Sequence, residues 1–139
     1  FTLANFMRAN VYSAFATLRI SLDILFAEGL RPKGVIAHGG IFITPNVAQQ
    51  YLADAFGSPV TCLATAHAGG AWGMAVLAAY AVRNAKSPMP NFRLEDFLDR
   101  VVFKGAKGVT LKPDKAGVKG FAKYLENFKK ALAAERAAV

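Results

Sequence analysis

Apolar positions recur with a helical period at both ends of this chain and fall in short unbroken runs between them. Val11, Phe15, Leu18, Leu22 and Leu25 follow spacings of four and three, which predicts a long helix over about Leu3 to Glu28. Ile20 and Ile24 widen that stripe, so the helix should be covered on two sides. Gly29 suits a helix C-terminus, and Pro32 blocks continuation. Val35-Ile36-Ala37 is a short apolar run of the kind buried on both faces of a sheet. A second helix reads from Pro45 to about Phe56, closed by Gly57. Val60-Thr61-Cys62-Leu63 predicts a second strand. A helix rich in Ala, Gly and Met follows, from about Gly70 to Asn84. Ser87-Pro88-Met89-Pro90 reads as a loop. A short helix over about Leu94 to Phe103 and a third strand at Val109-Thr110-Leu111 come next. In the last helix Val118, Phe121, Leu125, Phe128 and Leu132 form an amphipathic stripe. Phe128 should be buried there, against the sheet or the first helix.

The order strand, glycine pair, helix occurs twice, at Gly39-Gly40 and at Gly69-Gly70. It predicts two helix N-termini at one edge of a parallel sheet, where backbone N–H groups suit an anion such as phosphate. The first loop is the better candidate. Gly39 and Gly40 lack a Cβ, so a ligand could approach the backbone closely. Thr44 then Pro45 has the residue order of an N-cap and a first helical position. A glycine pair alone fits a plain strand-to-helix turn equally well.

Longer phrases carry a family resemblance. His38-Gly39-Gly40-Ile41 is similar to a GGGA-type loop, and Leu52 to Val60 (LADAFGSPV) to a phrase such as LADALGRPV. Ala71 to Ala79 (AWGMAVLAA) fits a helix opening A-x-G-A-A-x-L-A-A, with Met74 in place of one Ala. Arg8-Ala9 matches an Arg-Ala pair near the start of a long helix. KGVTLKPDKAGVKGFAKYLENFKKAL resembles a closing strand, Pro-Asp step and helix. In this order and spacing the phrases resemble the C-terminal domain of the FGGY family of carbohydrate kinases. The chain departs from the pattern at His38, at Ile41-Phe42, and at Tyr12, where many relatives have Glu. Its loop variants point to a ribulokinase-like or xylulokinase-like subgroup.

The resemblance implies an α/β fold, part of an actin-like, ribonuclease-H-like domain with a small, mainly parallel sheet flanked by helices. It implies that residues 1–139 are a C-terminal nucleotide-binding fragment of a two-domain kinase that phosphorylates a sugar or polyol, a pentulose such as xylulose or ribulose above all. The catalytic Asp would lie in the missing N-terminal kinase domain, so no catalytic residue is assigned here and the fragment alone should be inactive. ATP and Mg²⁺ are implied as cofactors. The candidate nucleotide-binding residues are Gly39, Gly40, Ile41 and Thr44 in the first loop, with Gly70 and Gly73 at the second helix opening.

Composition adds limits. At 139 residues the chain is one domain with room for a core. The 54% apolar share and a mean hydropathy of +0.28 suggest a surface that packs against a missing domain and would otherwise self-associate. Ala55 to Val82 carries no Asp, Glu, Lys or Arg, but Ser58-Pro59 and Gly69-Gly70 break it below spanning length. No signal-peptide pattern opens the chain. Cys62 has no internal disulfide partner and reads as a buried thiol, which suits a cytoplasmic protein. The net charge of +8 is concentrated after Val82, with 13 basic and 6 acidic residues. Spread along an amphipathic helix, these charges read as a solvated face rather than a nucleic-acid surface.

Other candidates weigh less. His38 borders the phosphate loop, and His67 precedes the second glycine pair. Neither has Cys or acidic neighbours that would argue for a metal. Trp72 could stack on a purine or simply pack in the core. Asp54 reads as a structural or interdomain residue. Two rivals stay open: a non-catalytic nucleotide-binding module, and a basic nucleic-acid-binding domain.

Overall fold

A computed structural model describes residues 2–86 and 93–138; the loop expected at Ser87-Pro88-Met89-Pro90 lies outside them. Thr2 opens helix α1, Leu3–Ala27, by accepting the Asn5 N–H on its hydroxyl at 3.2 Å, which satisfies one of the orphan donors of a helix start. Gly29, at φ +78°, turns the chain out of that helix. Strand β1 (Val35–Ala37) leads through a 3₁₀ turn (Gly40–Phe42) to helix α2 (Val47–Phe56). Strand β2 (Val60–Leu63) leads through a second 3₁₀ turn (Ala66–Ala68) to helix α3 (Gly69–Lys86). Helix α4 (Leu94–Phe97) continues as a π-type turn (Leu98–Val102), before strand β3 (Gly108–Leu111) and helix α5 (Lys115–Ala137).

The sheet has the order β1-β2-β3. β1 and β2 are parallel, with Val35 beside Val60 and Ala37 beside Cys62. β2 and β3 are antiparallel, with Leu63 beside Gly108. The expectation of a mainly parallel sheet is therefore corrected: β3 enters at the end where β2 leaves, and one of the two pairings is antiparallel. β1 is not buried on both faces either. Ile36 shares a row with Thr61 and Thr110, and it is 57% exposed. The alternate rows, holding Ala37 and Val60, face the core formed with α1, α2 and α5.

Tyr12 is the hub of that core. Its ring meets Tyr51 of α2 and Phe121 and Tyr124 of α5 edge to face, at 5.3, 5.1 and 5.3 Å between centroids. Such pairs add to the area they bury. Tyr12 thus joins three helices here. Phe121 is 2% exposed. Phe128 is only half-buried, stacked on Tyr124, because the last turns of α5 run past the core. Arg19 bonds Asp23 at 2.8 Å and also donates to the Ala55 carbonyl near the end of α2. Lys129 reaches the same Asp23 at 3.2 Å. Burial opposes ionisation of Asp23, but the bonds and charges of Arg19 and Lys129 outweigh it and hold its carboxyl below the usual range.

Asp54 has a structural part. Its carboxylate accepts the Asp114 N–H at 2.8 Å and the Gln50 amide at 2.9 Å. Asp114 in turn caps α5 by accepting the Gly117 N–H at 2.8 Å. A Cβ at Gly117 would collide with the Asp54 carboxylate. The Pro-Asp step and the glycine after it are thus shaped by a buried acid some 60 residues upstream.

Candidate functional site

Both parallel strands end at one edge, and the two loops there hold each other. Gly39 adopts φ 129°, ψ 163°, a region open essentially to glycine alone. Its N–H donates to the Ala66 carbonyl of the second loop at 2.7 Å. His38 packs on the start of α3, where a Cβ at Gly69 would strike its side chain. The His38 ring lies on Trp72 at 5.6 Å and 10° between planes, and Trp72 also meets Phe103 at 5.7 Å. The Nδ1 of His38 is buried with no hydrogen-bond partner. Trp72 therefore stacks on protein rings, half-buried and outside the core.

The first loop differs from its sequence reading. Thr44 and Pro45 do not open α2. They lie in an exposed turn, and α2 starts at Val47 after Asn46 in the left-handed region at φ 66°. Asn tolerates that conformation better than most residues, and it takes up the change of direction that an N-cap at Thr44 would have needed. The 3₁₀ turn spends the Phe42 and Ile43 amides internally, at 3.0 and 3.1 Å. The amides of Gly40 and Ile41 stand at its open start. A Cβ at Gly40, Gly70 or Gly73 meets nothing within 4 Å. Thr44 and Gly70 are exposed, and Gly73 is half-buried.

Beside these loops lies a cleft of about 390 Å³. Phe42, Ile43, Pro45 and Asn46 wall it from the first loop, and Ala64, Ala66 and His67 from the second. Gln49 of α2 and Cys62 and Leu63 of β2 form further wall, and Lys107-Gly108-Val109 closes the β3 side. None of Gly39, Gly40, Ile41, Thr44, Gly70 and Gly73 is part of that wall; it begins one residue beyond Ile41. Cys62 is half-buried rather than sealed in the core, and burial pushes its thiol up. Sequence reasoning missed Gln49 and Lys107 altogether. Gln49 sits in an ordinary amphipathic helix, and only the fold brings Lys107 opposite it. Among the described residues no three His, Cys, Asp or Glu side chains could together hold a metal ion. No helix among them is long and apolar enough to cross a membrane.

A cleft outside the carboxyl ends of parallel strands is the usual ligand position of an open α/β sheet, and its volume is in the range of small-molecule sites. The class is thus a mixed α/β domain with a cleft of small-molecule size at the ends of its parallel strands. Residues 1–82 match the FGGY family of carbohydrate kinases, C-terminal domain, and the chain belongs to that family. No curated protein and no solved structure matches it.

Proposed function

We propose that this domain is the nucleotide-holding half of a two-domain, cytoplasmic carbohydrate kinase, with ATP in the cleft at the ends of β1 and β2. The cleft itself carries the reading: apolar side chains line its body, and a Lys and a His stand in its wall. That combination suits a flat base with an anionic tail. Lys107 and the open amides of Gly40 and Ile41 would meet phosphate oxygens. Gly70 and Gly73, at the opening of α3, would keep the second loop open to the same ligand. The parallel β1–β2 pair with its helices fits part of an actin-like, ribonuclease-H-like frame. A pentulose is the proposed sugar, held with its catalytic base by the N-terminal domain.

Phosphoryl transfer depends on positioning and charge stabilisation, so a half-site that only binds is a complete contribution. Mg²⁺ in such reactions is carried largely by the nucleotide's phosphates with few protein ligands. Among the described residues no three His, Cys, Asp or Glu side chains converge on one metal position, so the phosphates would carry most of its coordination. Leu3, Phe6 and Met7 of α1 and Ile41 and Ile43 of the loop are exposed. They fit contact with the partner domain and would favour self-association without it.

Gly40→Val tests the loop. Gly40 has neither a left-handed φ nor a neighbour that a Cβ would touch, so the variant should fold and melt like the parent. If phosphates approach this backbone, the ATP affinity of the full-length enzyme carrying the change should fall by on the order of ten-fold or more, with its sugar affinity changing less. A folded variant with parental ATP affinity would mean that the loop is only a turn.

A further inference from the structure

We propose that the side-chain carbonyl of Gln49 reads the base in this cleft, selecting a purine that presents an amino group over one that presents a carbonyl. The inference rests on the nucleotide reading above. Gln49 is only 3% exposed, yet it is part of the cleft wall. Its Nε2 donates to the Val60 carbonyl at 2.8 Å and to the Val109 carbonyl at 2.7 Å. Both partners can only accept, so the amide nitrogen must face the strands. Its two N–H groups are thereby used up in tying β2 to β3.

The Oε1 atom is the remaining branch of that amide. Among the described residues no donor is bonded to it. The two outgoing N–H bonds polarise the amide and make Oε1 a stronger acceptor. The wall that Gln49 shares is mostly apolar, with Phe42, Ile43 and Leu63. Oε1 is not sealed away from the cleft, so a donor on a ligand there gains a hydrogen bond in largely apolar surroundings. The exocyclic amine of adenine supplies one. The carbonyl of hypoxanthine or guanine at the same ring position would instead set lone pairs against lone pairs. Lys107, in the β3 side of the same wall, suits the anionic end of the same ligand.

Affinities of this chain for ATP, inosine triphosphate and purine riboside triphosphate separate the terms. The last lacks any group at the position of the amine. ATP should bind tighter than either by on the order of ten- to a hundred-fold, with inosine triphosphate the weakest. Alkylation of Cys62, in the same wall, reports whether each ligand enters the cleft. The Gln49 side-chain NH₂ resonances should shift with ATP and stay unmoved by inosine triphosphate, because Oε1 gains a donor only from the amine. Gln49→Met should bring ATP down to the level of purine riboside triphosphate; if that variant does not fold, the amide resonances decide alone. Equal affinities with Cys62 protected, or unmoved amide signals with ATP bound, would overturn the role of Gln49 and leave the nucleotide reading standing. No protection of Cys62 by any of the three would remove the nucleotide reading and this inference together.

Discussion

Phe121→Ala should lower the stability of the chain by about 3–5 kcal/mol. The ring is 2% exposed and lies edge-on to Tyr12 at 5.1 Å. Tyr12 in turn meets Tyr51 and Tyr124, so the cavity would open at the junction of α1, α2 and α5. Three helices would have to move together to close it, and partial closure leaves most of the cost in place. A urea titration reads the effect as a fall in midpoint with little change in slope. Phe128→Ala is the internal control. That ring is half-buried beside Tyr124, so its truncation should cost clearly less. Equal losses at the two positions would mean that α5 packs along its whole length.

Gly69→Val should be the most damaging single change at the site. A Cβ there collides with the Cβ of His38, which is anchored to the backbone and cannot swing away. The loop that holds His38 is itself fixed by the bond from Gly39 to Ala66. Overpacking of this kind costs about 1–3 kcal/mol, and it should push the start of α3 off the end of β1. Trp72 is the only tryptophan and stacks on His38, so its emission reports the displacement directly. Gly70→Ala one residue on, where a Cβ meets nothing, should leave emission and melting temperature near the parent. Unchanged Trp72 emission in the Gly69 variant would mean that the two loops are not locked together.

Those two glycines mark what the sequence could and could not reveal. Strands and helices were legible because their signals are local: the period of α1 and α5, and the glycine stops at Gly29 and Gly57. The repeated strand–glycine–helix order pointed to the edge of the sheet beside which the cleft lies. The start of α2 was misread because a Thr-Pro step fits a turn as well as an N-cap, and only the left-handed Asn46 distinguishes them. Gly69 and Gly70 look alike in sequence, yet only Gly69 has His38 against it. Gln49 gave no signal at all, since its partners are main-chain carbonyls of two strands. The direction of β3 was equally silent, because a four-residue strand carries no information on which way it pairs.

The central claim is that nucleotide occupies the cleft at the ends of β1 and β2, and Cys62 offers its most direct test. It is the only cysteine, and it forms part of the cleft wall. Burial raises its thiol, so the alkylation rate is best followed at mildly alkaline pH, where enough thiolate is present. ATP should slow alkylation in proportion to its occupancy, with a half-effect at the dissociation constant measured independently, and a sugar alone should not. An alkylation rate unchanged at saturating ATP would contradict the account, because the nucleotide would then bind elsewhere or not at all.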